Sequence, residues 1–165
     1  MVVYGDDFTA TATHEDLNWY ETLLAKHYAH TIGARLGPGP KDQKEARVLN
    51  RIVRWTEDGI CYAADPRQVE KVILELQLEG ANSVATPGVK IPMSETESDE
   101  LLPDGEATRY RAAAARAKYL SADRPDIQFT ANEACRCMAK PTKNGWTALK
   151  RLARYLIGCP RLVYM

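Results

Sequence analysis

Aromatic residues are scarce in this chain of 165 residues, at 8%, and only two of them are phenylalanine. No apolar run approaches the roughly twenty residues that a helix needs to cross a bilayer, so no membrane is expected among the partners. Cysteine occurs four times, at Cys61, Cys135, Cys137 and Cys159. Only Cys135 and Cys137 are close, and no histidine lies beside them, so zinc-ligand spacing is missing. The opening residues read as a strand and not as a secretory leader, and the thiols are expected to be reduced in an intracellular protein. No segment repeats another. Net charge is also lacking, because 22 Lys and Arg balance 22 Asp and Glu.

That balance conceals an uneven distribution. From Ala107 to the end, twelve Lys and Arg stand against three acids, so this stretch carries +9 and the rest −9. A basic section suits a polyanionic partner, and a solvated helix surface explains it equally. With 45% hydrophobic and 27% charged residues, the chain has the composition of a globular protein able to bury a core.

The chain opens on an apolar, β-branched run, Met1 to Tyr4. Gly5, Asp6 and Asp7 read as a turn and Phe8 to Ala12 as the returning strand, which makes a hairpin with acids at its tip. A helix is predicted from about Glu15 to His30, with Thr13 as N-cap and Leu17, Tyr20, Leu24 and Tyr28 on one face. A Gly- and Pro-rich loop follows, then a strand over Ala46 to Trp55, a turn at Glu57 to Gly59 and a return strand over Ile60 to Ala63. Asp65 and Pro66 start a helix reaching about Leu78. Ser83 to Glu106 holds three prolines and six acids and reads as an exposed, mobile linker. Three helices are predicted after it, over Ala107–Leu120, Pro125–Met138 and Asn144–Ile157. The abrupt start, with a strand and nothing before it, predicts that upstream sequence belongs with this chain.

Two adjacent carboxylates on a tight hairpin repel each other and gain little from packing. A divalent cation removes the repulsion, and Mg²⁺ takes one or two carboxylates together with substrate phosphates. Nucleotidyl transfer uses two such ions, one at the attacking oxygen and one at the leaving group. An ordinary turn, with Asp6 and Asp7 capping backbone amides, would give the same tetrapeptide. The strands directly before and after it are what a metal-bearing hairpin requires.

The run Val2-Val3-Tyr4-Gly5-Asp6-Asp7-Phe8 resembles the Tyr-x-Asp-Asp box of reverse transcriptases. Farther on, Asn82 to Pro87, the pair Tyr110 and Arg111, Tyr119 to Phe129 (with Arg124-Pro125-Asp126-Ile127) and Trp146 to Gly158 resemble, in that order, segments of copia-type retrotransposon Pol polyproteins. Together they extend over the whole chain, and the order is more specific than any one match. The box departs from the family in carrying Gly5 where valine is usual.

The resemblance implies an α+β fold: a palm-type acidic β-hairpin with a small antiparallel sheet and packed helices, followed by a C-terminal helical bundle. It implies a division into a palm remnant over 1–82, an acidic linker over 83–106 and a basic thumb- or connection-like region over 107–165. It implies a fragment of an RNA-directed DNA polymerase in which Asp6 and Asp7 are catalytic and hold Mg²⁺ or Mn²⁺, two ions in the complete enzyme. The implied partners are an RNA or DNA template–primer, dNTP and the remaining Pol domains: fingers and upstream palm, RNase H and integrase. The expected setting is cytoplasmic, in a virus-like particle, or nuclear. The family's earlier palm aspartate has no counterpart here, so the chain alone is expected not to polymerise.

In the basic region, Lys143, Lys150, Arg151 and Arg154 are candidates to track phosphates, and Tyr4 is a further candidate contact to nucleic acid. Trp146 and Tyr155 could stack on bases or sit in the core, with the core favoured for Trp146. Arg124 is expected to pair with a nearby acid and Asp123 or a neighbour to cap the following helix. His27 and His30 could share a metal, although surface positions suit them better. The competing reading is a non-catalytic nucleic-acid-binding protein, domesticated or degenerate, that keeps the fold without the chemistry.

Overall fold

A computed structural model describes residues 1–89 and 99–164, with Val163 and Tyr164 described by backbone alone. The described residues fold as two small antiparallel sheets and five helices, the α+β class expected from the sequence. β1 (Val2–Tyr4) pairs with β2 (Asp7–Thr9) in a sheet of two strands. Helix α1 (His14–His27) follows, capped as predicted by Thr13, whose side chain accepts from the Asp16 backbone N–H. It ends earlier than predicted, because Tyr28 turns to extended backbone at φ −139°.

The second sheet has the order β3-β4-β5-β6: Glu45–Val48, Arg51–Thr56, Gly59–Ala63 and Val163–Tyr164. The single strand predicted over Ala46–Trp55 is therefore two, joined by a tight turn. Val48 faces Arg51 across it, and Leu49 and Asn50 both adopt positive φ, 48° and 67°. That is the type I′ geometry, which fits the twist of a hairpin. Asn50 accommodates it readily, whereas Leu49 gives no local sign of it.

Helix α2 (Pro66–Glu75) starts where Asp65 and Pro66 predict, the Asp65 carboxylate accepting from the Arg67 N–H. It stops short of Leu78, with Gln77 at φ 55°. Helices α3 (Asp104–Leu120), α4 (Pro125–Arg136) and α5 (Lys143–Gly158) follow, each within a few residues of expectation.

One hydrophobic cluster among the described residues holds the helices α2 to α5 together. Val69 and Val72 of α2, with Leu76 at its C-cap, join the alanine face of α3, Ile127 of α4 and Leu149, Leu152 and Leu156 of α5 in this cluster. Ala113, Ala114 and Ala117 are fully buried, so small side chains let the neighbouring helices approach α3 closely. Each buried Leu or Ile contributes roughly 1.5–3 kcal/mol by leaving water. The bundle expected from the sequence had three helices, all beyond the acidic segment. The packed bundle has four, because α2 joins it.

Within the segment expected to be an exposed linker, residues 90–98 lie outside the described residues. Its described ends are docked. Leu102 is buried and its N–H donates to the Pro141 carbonyl (2.9 Å), and the Lys143 N–H donates to the Glu100 carbonyl (2.9 Å). Asp123 does not cap α4, and its neighbour Arg124 holds the N-cap position without a side-chain cap bond. Asp123 accepts from Arg51 (2.9 Å) and from the Tyr62 hydroxyl (2.7 Å), and so ties the four-stranded sheet to the bundle. Burial and the bond to Asp123 push the Tyr62 phenol up to about 12.

Candidate active site

The tip of the first hairpin is set by register. Val3 pairs with Phe8 and Tyr4 with Asp7, which leaves Gly5 and Asp6 as a two-residue loop. Gly5 has φ +62° and Asp6 does not have positive φ. A left-handed residue at the first loop position alone is the type II′ pattern, which favours glycine there. A Cβ at Gly5 would meet nothing within 4 Å, so backbone conformation and not space selects glycine. The departure from valine thus has a local reason.

Asp6 and Asp7 are both exposed. The structure brings them together as neighbours at one tip and brings no other ligand to them: no group of three His, Cys, Asp or Glu able to hold a metal occurs among the described residues. Two exposed carboxylates suit a hydrated Mg²⁺ or Mn²⁺ that also takes oxygen from a substrate phosphate, and they do not form a complete protein cage. The donor set fits the expected metal as half of a site. Tyr4 is 69% exposed, one residue before the loop, with its ring open to solvent.

The hairpin meets α1 at its root. The Tyr20 hydroxyl donates to the Met1 thioether (2.8 Å), and Met1, Ala10, Leu17, Trp19 and Tyr20 line a shallow depression of about 280 Å³. Polar contacts fasten the other side of α1. Arg35 reaches Asn18 (2.7 Å) and Glu21 (3.0 Å), and His14 lies 3.5 Å from Asp42. His27 and His30 belong to no metal-binding group among the described residues.

The basic candidates on α5 are all engaged. Lys143 pairs with Glu100, which raises its pKa. The Lys150 ammonium sits 5.1 Å from the centre of the Trp146 ring, and the Arg109 guanidinium lies 5.7 Å from it. Trp146 itself is 9% exposed and packs beside Tyr110, so it belongs to the core. Arg151 donates to the Thr86 hydroxyl (2.9 Å), and Arg154 donates to the Asn82 carbonyl (2.7 Å).

Tyr155 is committed as well. Its hydroxyl donates to Asp126 (2.9 Å), and burial with that bond pushes its phenol up to about 12. Arg124 is wholly buried and grips the same carboxylate through two bonds, 2.9 and 2.7 Å, while also donating to the Cys159 carbonyl (2.9 Å). The expected pairing of Arg124 with a nearby acid is realised, and the Arg-Pro-Asp run is structural. The segment before Gly88 is held against α5 by both arginines, a partnership that their charge pattern does not reveal. Among the described residues its sequence sign is Gly158, whose missing side chain leaves room for Ser83.

No protein-family profile matches the chain. Over 160 residues, 97% of its length, it is 29% identical to the retrovirus-related Pol polyprotein from transposon RE2 of Arabidopsis thaliana. Over the same span it is 33% identical to that from transposon RE1 of the same plant. The chain spans about a tenth of the length of each of these relatives. The retrotransposon Pol relationship expected from the motifs is therefore found in the sequence comparison. No solved structure matches. No helix among the described residues is long and apolar enough to cross a membrane.

Proposed function

We propose that this chain, a relative of one stretch of the retrovirus-related Pol polyproteins, is part of an RNA-directed DNA polymerase and presents Asp6 and Asp7 as metal ligands. The observation that carries this reading is the type II′ hairpin, which holds two adjacent aspartates exposed at its tip, neither in an ion pair among the described residues. Magnesium bound there would neutralise the phosphates in transfer and favour the attacking 3′ oxygen. The chain's own part is to hold the two acids on a short, registered turn. Tyr4, next to the loop, offers an open ring to the primer end. The helices would contact the template–primer, and the remaining Pol domains would supply the other ligands. An intracellular setting accords with this reading.

A direct test grafts this chain in place of the corresponding tenth of the transposon RE1 polyprotein and measures primer extension on an RNA template. Extension that disappears in Asp6→Asn and in Asp7→Asn is expected. Extension that survives either substitution, or a folded chimera with none, contradicts the reading.

A second reading is a nucleic-acid-binding protein without catalysis. It is favoured by one observation: among the described residues no third ligand joins Asp6 and Asp7. Extension by the purified chain alone would count against it. The polymerase reading also expects none from the isolated chain, so the chimera is what separates the two.

A further inference from the structure

Residues 82–88 run past α5 as an irregular segment with bends at Ala85 and Pro87. The Arg154 guanidinium donates to the Asn82 carbonyl (2.7 Å), and the Val84 N–H donates back to the Arg154 carbonyl (3.4 Å). Arg151 donates to the Thr86 hydroxyl (2.9 Å). Two glycines permit close approach, Gly158 to the segment from α5 and Gly88 from the segment to α4. A Cβ on Gly158 would stand 2.8 Å from the Ser83 Cβ, and one on Gly88 would stand 2.8 Å from the Thr130 hydroxyl. The covering segment buries little of itself: Asn82, Ser83, Ala85 and Thr86 are exposed. A few polar contacts hold it, and such segments open at small cost.

The fork of Arg151 is only half used. One terminal nitrogen has the Thr86 hydroxyl, while Nε is buried with no partner among the described residues. A hydroxyl offers a guanidinium one acceptor, whereas a phosphate offers two oxygens spaced for both donors. Arg151 and Arg154 are three residues apart and so share one face of α5.

We propose that residues 82–88 form a displaceable strap over a phosphate-binding pair, Arg151 and Arg154, and that the nucleic-acid backbone binds this pair only when the strap lifts. The proposal rests on the nucleic-acid part of the function above and is independent of the acidic hairpin. Phosphate takes the places of the Asn82 carbonyl and the Thr86 hydroxyl and fills the idle donor of Arg151. No covalent bond is made or broken, and hydrogen bonds to the strap are exchanged for bonds to phosphate, so binding and strap closure are simple competitors.

The test measures binding of a fluorescein-labelled oligothymidylate by anisotropy across a salt series, together with hydrogen exchange at the Val84 amide. Gly158→Ala pushes a methyl into Ser83, and Thr86→Val removes the hydroxyl acceptor. Both are expected to speed exchange at Val84 and to tighten binding, on the order of tenfold, by raising the open population. Adding Arg151→Ala and Arg154→Ala to Gly158→Ala should erase the gain and flatten the salt slope by about two. Unchanged exchange in both strap variants overturns the displaceable strap. Faster exchange with unchanged affinity, or a gain that survives loss of the arginines, overturns the masked site while leaving binding elsewhere intact. Absence of binding in every variant at low salt overturns the nucleic-acid reading itself.

Discussion

The four-helix bundle and the acidic hairpin with α1 are built on opposite terms. In the bundle, Tyr110, Leu149, Leu152 and Leu156 have no exposed surface, and a buried Tyr110 hydroxyl finds the Ala134 carbonyl at 2.8 Å. In the hairpin every residue is exposed, and α1 buries none of its side chains. An isolated two-stranded hairpin is marginal in water. Here it leans on α1 through Tyr20 and Met1, and α1 is held by the polar contacts of Arg35 and His14. The lesson is that stability and candidate chemistry occupy separate parts of the chain, so damage to one should leave the other readable.

The largest expected effect that breaks the comparison is in the core. Leu149→Ala should cost about 2–5 kcal/mol in a urea melt, by lost burial and an unfilled cavity. Val3→Ala in the hairpin, half exposed, should cost less than about 0.5 kcal/mol. Equal costs would deny the division.

Next is the buried ion pair. Arg124→Ala leaves Asp126 with the Tyr155 hydroxyl but no cation, removes the arginine donor of the Cys159 carbonyl, and should cost about 3 kcal/mol. Acid should reach the bundle through the same carboxylate. Burial pushes Asp126 up, but the bonds from Arg124 and Tyr155 outweigh it and hold the carboxyl below its ordinary range. A depressed folded pKa contributes stability that is complete above the ordinary carboxylate value, about 4, and is lost as pH falls through the lower folded value. The urea midpoint should therefore drop more steeply between pH 5 and pH 2 in the native chain than in Asp126→Asn. Parallel profiles would show that this carboxylate does not govern acid unfolding.

A smaller effect sharpens the hairpin side. Gly5→Val forces a β-branched residue into left-handed backbone, at a local cost of roughly 1–2 kcal/mol. Hydrogen exchange should quicken at Tyr4 and Asp7, the pair that closes the loop, and stay unchanged in α5. Faster exchange throughout would mean that the two parts unfold together.

Much of this organisation could be read from residue order because it rests on local signals. Thr13, Asp65 and Pro66 mark helix starts by their capping chemistry, and Leu149, Leu152 and Leu156 mark an inner face by spacing. The break at Leu49 was hidden because leucine carries no preference for positive φ, so the strand run read as continuous. The place of α2 in the bundle was hidden because its partners lie across the acidic segment, where only tertiary packing decides. At the candidate site, the adjacency of Asp6 and Asp7 was legible, and so was the core role of Trp146. The employment of Arg151 and Arg154 by residues 82–88 was not, since a backbone carbonyl and a threonine hydroxyl leave no charge pattern to read.

The central proposal is that the hairpin tip binds a divalent cation through Asp6 and Asp7. A manganese titration followed by amide NMR tests it most directly, because the paramagnetic ion broadens signals near where it binds. Broadening centred on residues 5–8, lost in the Asp6→Asn, Asp7→Asn double variant while the α5 signals remain sharp throughout, is the predicted result. Broadening that is absent from the tip, or that persists there in the double variant, would contradict it.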